Sequence, residues 1–219
     1  MIKTVIFDLD GTLVNSLGDL ADSVNYGLTA MGYETYPTQK YKQFVGSGTL
    51  KLCERALRPY TADSDIINKL HGLFSQYYTE HCLDKTAPYD YITDALIELK
   101  KSGIKLAVAS NKPDAFTRNI VTGLFGNEIF DCICGKVETR HVKPYPDIVL
   151  DILSELGTDR EDTIIAGDSD VDIATAANAG ILSIGCLWGF RDQSELEDAG
   201  ADYIAKSPCD IPKIIRTIE

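Results

Sequence analysis

Short apolar runs recur along this chain with helical repeats between them, and that alternation restricts the fold more than any other feature of the sequence. The runs are Lys3 to Phe7, Ile104 to Ala109, Cys132 to Cys134, Thr163 to Ala166, Ile181 to Leu187 and Tyr203 to Ala205. Between them, Ile92, Ala95, Leu96 and Leu99 fall at helical spacing before Gly103. Ile148, Ile152, Leu153 and Leu156 repeat the pattern before Gly157. Strands that alternate with helices predict an α/β fold, a doubly wound parallel sheet covered on both faces. In such sheets ligands bind at the carboxyl ends of the strands.

The stretch from Ser16 to Cys82 interrupts the alternation. Leu20, Val24 and Leu28 share one helical face, and Leu50, Leu52, Ala56 and Leu57 a second. Ile66 to Tyr78 supplies a third, with Leu70, Leu73 and Tyr77. No strand is expected there. A small helical domain inserted after the first strand accounts for it, with 1–15 and 83–219 as a discontinuous core and 16–82 as the insertion.

Four polar segments each follow a predicted strand or open a helix, so the expected topology carries them to one sheet edge. They are DLDGT (Asp8 to Thr12), SNK (Ser110 to Lys112), HVKPYP around Lys143, and GDSDVD (Gly167 to Asp172). Two carboxylates as close as Asp8 and Asp10 repel unless solvated or bridged by a cation. Carboxylates, a hydroxyl, amides and two ammonium groups suit phosphoryl transfer with Mg²⁺, which prefers hard oxygen ligands. One carboxylate can serve as nucleophile, and another two residues on can protonate the leaving oxygen and later activate water. Lysine and metal would offset charge on the transferring oxygens.

These residues resemble the haloacid dehalogenase superfamily of phosphohydrolases over essentially the whole chain, with the four motifs in order and the insertion where a helical cap stands. The resemblance implies that Asp8 is the nucleophile and a Mg²⁺ ligand. It makes Asp10 the general acid/base, with its backbone carbonyl on the metal. Thr12 follows in the same motif. Ser110 corresponds to the phosphate-binding hydroxyl, assisted by Asn111, and Lys143 to the lysine that steadies nucleophile and phosphate. Asp168 corresponds to a metal ligand and Asp172 to a second acidic metal position. SNKP, VGSGTLKLCERAL (Val45 to Leu57), NAGILSIGCLWGFRD (Asn178 to Asp192) and AGADYI (Ala199 to Ile204) are similar to the phosphoglycolate phosphatase-like branch. Asn15 departs from the aspartate common in that branch, with an effect expected at the cap hinge.

The expectation is a Mg²⁺-dependent phosphatase acting on a small phosphorylated metabolite, with a phosphoglycolate-like monoester foremost. A pyrophosphatase, a sugar-phosphate phosphatase, a phosphomutase and a non-catalytic phospho-ligand sensor are the alternatives. Gly46, Ser47 and Gly48 form either a flexible turn or a set of amides over the substrate. Arg55 and Lys112 are candidate cations for a second substrate anion.

A formal net charge of −12 argues against nucleic acid and anionic membranes as partners. No apolar run approaches the ~18 residues of a membrane span, and the early acid in MIKTVIFDLD does not suit a secretory signal. A cytoplasmic monomer or homodimer is expected. The six cysteines read as reduced structural thiols, Cys132 and Cys134 on one face of a buried strand. His71, His81 and His141 show no ligand spacing, though His141 stands two residues from Lys143. Trp188 and Phe190 read as packing residues near the sheet edge.

Overall fold

The computed structural model describes residues 1–218. The chain forms two compact units, 1–14 with 88–219, and 15–87.

The larger unit holds a six-stranded parallel sheet of β1 (Thr4–Phe7), β2 (Lys105–Pro113), β3 (Cys132–Lys136), β4 (Thr163–Gly167), β5 (Leu182–Cys186) and β6 (Tyr203–Ala205). The spatial order is β3-β2-β1-β4-β5-β6. Connections run one way from β1 to β3 and the other way from β4 to β6, so the winding reverses between β1 and β4. The carboxyl-end crevice at such a reversal is where doubly wound sheets bind ligands. All four residues of TVIF in β1 are buried, as a strand flanked on both sides and covered on both faces requires. Phe7 pairs in register with Val108 on one side and Ala166 on the other.

Helices α4 (Ile92–Lys101), α5 (Asp114–Phe125), α6 (Asp147–Leu156), α7 (Asp170–Ala179), α8 (Gln193–Asp198) and α9 (Asp210–Thr217) accompany the sheet. Gly103 at φ 79° and Gly157 at φ 60° stand after α4 and α6, where a left-handed residue ends a helix at least cost. The predicted strands appear in place. β2 runs furthest past its predicted end, continuing through SNKP with a register shift against β3 between Ala109 and Pro113. An irregularity of this kind re-aims side chains at the end of a strand.

The smaller unit contains α1 (Leu17–Ala30), α2 (Thr49–Leu57) and α3 (Ser64–His81). At Gly27 of α1 the side chains of α3 pack closely, since a Cβ there would stand 2.5 Å from Leu70 Cδ1. Two helical faces differ from the sequence expectation. Leu50 is exposed at 39%, and Cys53 is buried beside Leu52, Ala56 and Leu57 instead. The buried stripe of α3 is Ile67, Leu70, Phe74 and Tyr78, and Leu73 and Tyr77 are only half-buried. The aromatic at 74 turns the stripe by one position, because the largest apolar surface gains most from burial.

Residues 83–87 belong with the helices. Buried Asp19 accepts hydrogen bonds from the Lys85 and Thr86 amides at 3.0 and 2.8 Å and from the Thr86 hydroxyl at 2.7 Å. A buried carboxylate needs such donors to offset lost hydration.

Candidate active site

Each strand of the reversal delivers one part of a single buried cluster. Asp8 leaves the end of β1, its amide donating to the Ala166 carbonyl of β4 at 2.9 Å. The chain then turns at Gly11, φ 97°. A side chain there would collide with the Asp168 carboxylate. The same is true of Gly189, so two glycines let the backbone close around Asp168 from opposite ends of the sequence.

Lys143 is the centre of the arrangement. Its Nζ donates to Asp8 Oδ1 at 2.7 Å and to Asp172 Oδ1 at 2.6 Å, and all three groups are buried. Burial works against the ammonium, but Asp172 and Asp8 outweigh it and raise the lysine's pKa above its ordinary value. The lysine therefore stays charged. Asp172 is itself fixed from the other side, since its Oδ2 accepts the Ser169 hydroxyl at 2.7 Å and the Ser169 amide at 3.2 Å, which caps α7. Both of its oxygens thus have protein partners.

Carboxylate oxygens of Asp8, Asp168 and Asp172 lie within 4.8 Å of one another. Burial pushes the Asp8 carboxyl up to about 7, with Lys143 opposing and Asp172 adding to the rise. Burial, then Asp172 and Asp8, hold Asp168 well above the usual carboxylate range. Three carboxylates facing one ammonium leave excess negative charge in a poorly solvated space. An all-oxygen donor set with that deficit fits a hard divalent cation such as Mg²⁺.

The remaining predicted residues take defined places. Lys112 Nζ donates to both oxygens of Asp10, at 2.8 and 2.7 Å, with the lysine buried. It therefore pairs with the acid two residues past Asp8. The Ser110 hydroxyl oxygen accepts the Lys112 amide at 3.2 Å. Asn111 spans to the backbone of Lys143, donating to its carbonyl at 3.0 Å and accepting its amide at 2.8 Å. Thr12 donates to Asp168 Oδ1 at 3.3 Å.

Ser47, Gly48 and Arg55 lie in the smaller unit. Arg55 donates to Ser47 Oγ at 2.9 Å and to the Phe44 carbonyl at 2.7 Å, bracing the 44–48 turn in which Gly48 adopts φ 89°.

Two residues expected only to pack do more. The Phe190 amide donates to Asp168 Oδ2 at 2.7 Å, and the Trp188 indole donates to the Thr12 carbonyl at 3.0 Å. Backbone donors leave no residue-type signal in a sequence, and Gly189 between them was the one available hint. His141 is exposed and pairs with Asp147 at 3.0 Å.

A doubly wound sheet with carboxylates and a buried lysine converging at its reversal defines a hydrolase site of the phosphoryl-transfer kind. The chain belongs to the haloacid dehalogenase-like hydrolases, whose family model matches residues 5–186, and it is a phosphatase of that family. A phosphoglycolate phosphatase of Aquifex aeolicus is 32% identical over 98% of this chain and 97% of its own length. Another, from Neisseria meningitidis, is 33% identical over 100% of this chain and 94% of its own. The crystal structure of a Lactobacillus delbrueckii subsp. bulgaricus protein, itself assigned as a phosphoglycolate phosphatase, superposes with a TM-score of 0.91 at 31% identity, covering 99% of this chain and 98% of that one. Among the described residues no helix is long and apolar enough to cross a membrane.

Proposed function

We propose that this phosphatase hydrolyses a small phosphorylated metabolite, 2-phosphoglycolate foremost, through an aspartyl-phosphate on Asp8. The observation that carries the reading is the buried Asp8–Lys143–Asp172 chain beside Asp168. It sets a carboxylate oxygen of Asp8 against a fixed ammonium.

In the first half, an Asp8 oxygen bonds to phosphorus as the bond to the leaving oxygen breaks, and Asp10 gives that oxygen a proton. In the second, Asp10 takes a proton from water, the water oxygen bonds to phosphorus, and the bond to Asp8 breaks. Lys143 offsets charge on the nucleophile and on the phosphoryl oxygens, and Ser110 donates its hydroxyl to one of them. Lys112 aims Asp10, Asn111 seats the Lys143 backbone, and Thr12 with the Phe190 amide fixes Asp168.

Asp8, Asp168 and the Asp10 carbonyl would hold Mg²⁺, with Asp172 acting on the site through Lys143. When bound, the ion neutralises charge that develops on the transferring group.

The test is phosphate release by wild-type and Asp8→Asn protein, with and without Mg²⁺, across 2-phosphoglycolate, pyrophosphate, sugar phosphates and an aryl phosphate. One dominant substrate, with turnover lost by about 10⁴-fold or more in the variant, supports the proposal. Hydrolysis retained by folded Asp8→Asn protein removes the nucleophile assignment. Isomerised sugar phosphate without free phosphate would make the chain a mutase.

A further inference from the structure

A second group of metal-ligating side chains lies away from the carboxylate pocket, on edge strand β3. Cys132 and Cys134 are two residues apart, so both side chains leave the same face of the sheet. They lie among the buried residues that include Ile148 and Ile152 of α6. Their sulfurs are 3.5 Å apart. Glu155, near the end of α6, brings a carboxylate oxygen in, so that the three ligand atoms lie within 4.8 Å of one another. Glu155 is exposed and both cysteines are buried, with the Arg140 guanidinium also beside Cys134.

We propose that Cys132, Cys134 and Glu155 bind a thiophilic divalent cation of the Zn²⁺ or Cd²⁺ class. Two sulfurs each about 2.3 Å from a tetrahedral Zn²⁺ stand about 3.8 Å apart. The observed pair is within a few tenths of an ångström of that separation. A carboxylate oxygen gives the third ligand and water the fourth, and sulfur selects against Mg²⁺. Binding forms two metal–sulfur bonds and one metal–oxygen bond, and the thiol protons pass to solvent. No electron moves.

A disulfide is the competing use of the pair. Residues i and i+2 of an extended strand have Cα atoms about 6.6 Å apart, near the upper end of what a disulfide spans, so the extended β3 does not favour one. The ion instead ties β3 to α6. These two elements flank the segment that carries Lys143.

The experiment is a titration of the full chain, reduced and in excess Mg²⁺, with Cd²⁺, following the ultraviolet thiolate-to-cadmium charge-transfer band and the melting temperature. The band should saturate at one Cd²⁺ per chain, the melting temperature should rise, and Zn²⁺ should displace the band. Glu155→Gln should weaken binding by about tenfold or more, the order lost when even an outer partner of a metal ligand is removed. Cys209→Ser should change nothing, and a folded Cys132→Ser/Cys134→Ser variant should lose the band. If that variant does not fold, alkylation of the wild type decides, since Cd²⁺ should protect Cys132 and Cys134 and not Cys209. No band in the wild type, a band surviving in the folded double variant, unchanged affinity in Glu155→Gln, or protection only elsewhere would each overturn the site. None of these readouts depends on which phosphoester is hydrolysed.

Discussion

The carboxyl end of the sheet and the helical unit are built by opposite rules. At the sheet, polar partners come from distant parts of the chain: Asp8 and Lys143 are 135 residues apart, Asp10 and Lys112 are 102, Thr12 and Asp168 are 156. In the helical unit many are closer in sequence, although Asp19 reaches Lys85 and Thr86 across 66 and 67 residues. Arg55 and Ser47 are 8 residues apart, and Asn25 binds Tyr36 and Tyr41 at 11 and 16. There Tyr36, Tyr41 and Phe44 stack edge to face around Asn25, with centroids 5.5 to 6.2 Å apart. Convergent strand ends fix a chemical geometry that tolerates little change, whereas a small helical bundle keeps its shape through apolar packing and leaves its turns open to variation. We propose that the reaction belongs to the first region and choice of substrate to the second.

Lys143→Ala tests the difference most severely. It leaves Asp8 and Asp172 facing each other without a cation. The expected outcome is a loss of about 3–5 kcal/mol in stability, as when any buried pair is broken from one side. That corresponds to a fall of roughly 6–20 °C in the melting temperature of a chain this size, and phosphate release should fall by about 10³-fold or more. An unchanged melting temperature would mean the lysine is not held as described.

Asn111→Ala sharpens the comparison, because Asn111 holds the backbone of Lys143. Removing its two bonds to Lys143 should lower kcat by roughly 10²-fold, the cost of an ångström-scale misplacement, with little effect on KM. A change confined to KM would make Asn111 a substrate contact.

The pocket should also show a pH signature that the helical unit lacks. The Asp8 carboxyl is raised to about 7 from an ordinary value near 3.8, so the folded metal-free protein binds more protons than the unfolded chain between those values. Its stability should therefore fall as pH rises from about 4 to about 7. Mg²⁺ must displace that proton, so its affinity should drop by about tenfold for each pH unit below 7. Calorimetry at several pH values measures both. Asp8→Asn should make the stability slope shallower, with Asp168 keeping its share.

Arg55→Ala is the mildest change. It should alter KM among phosphoesters by several-fold while leaving kcat for a small aryl phosphate nearly untouched, because it loosens the 44–48 turn and nothing at the strand ends. A drop in kcat common to all substrates would erase the distinction between the regions.

Much of the architecture was legible because strands buried on both faces must be continuously apolar, as TVIF and TIIAG are. The candidate residues were legible for a related reason: in a parallel sheet every strand points the same way, so whatever follows each strand gathers at one edge. The helical faces were harder. Near Leu50 and in α3 several apolar residues compete for one stripe, and periodicity alone cannot rank Phe74 above Leu73 or Cys53 above Leu50.

By itself, then, the sequence pointed to the alternating fold, to a run of helices after the first strand and to the carboxylates and lysines that gather at the strand ends. Tertiary structure alone decided how those groups divide their work. It gave Lys143 to Asp8 and Asp172, Lys112 to Asp10, and Asn111 to the backbone of Lys143, and it supplied the amide of Phe190 to Asp168. The physical reason is range. Strand and helix patterns arise from neighbours along the chain, whereas a buried charge is settled by whichever partner the folded chain brings within hydrogen-bonding distance.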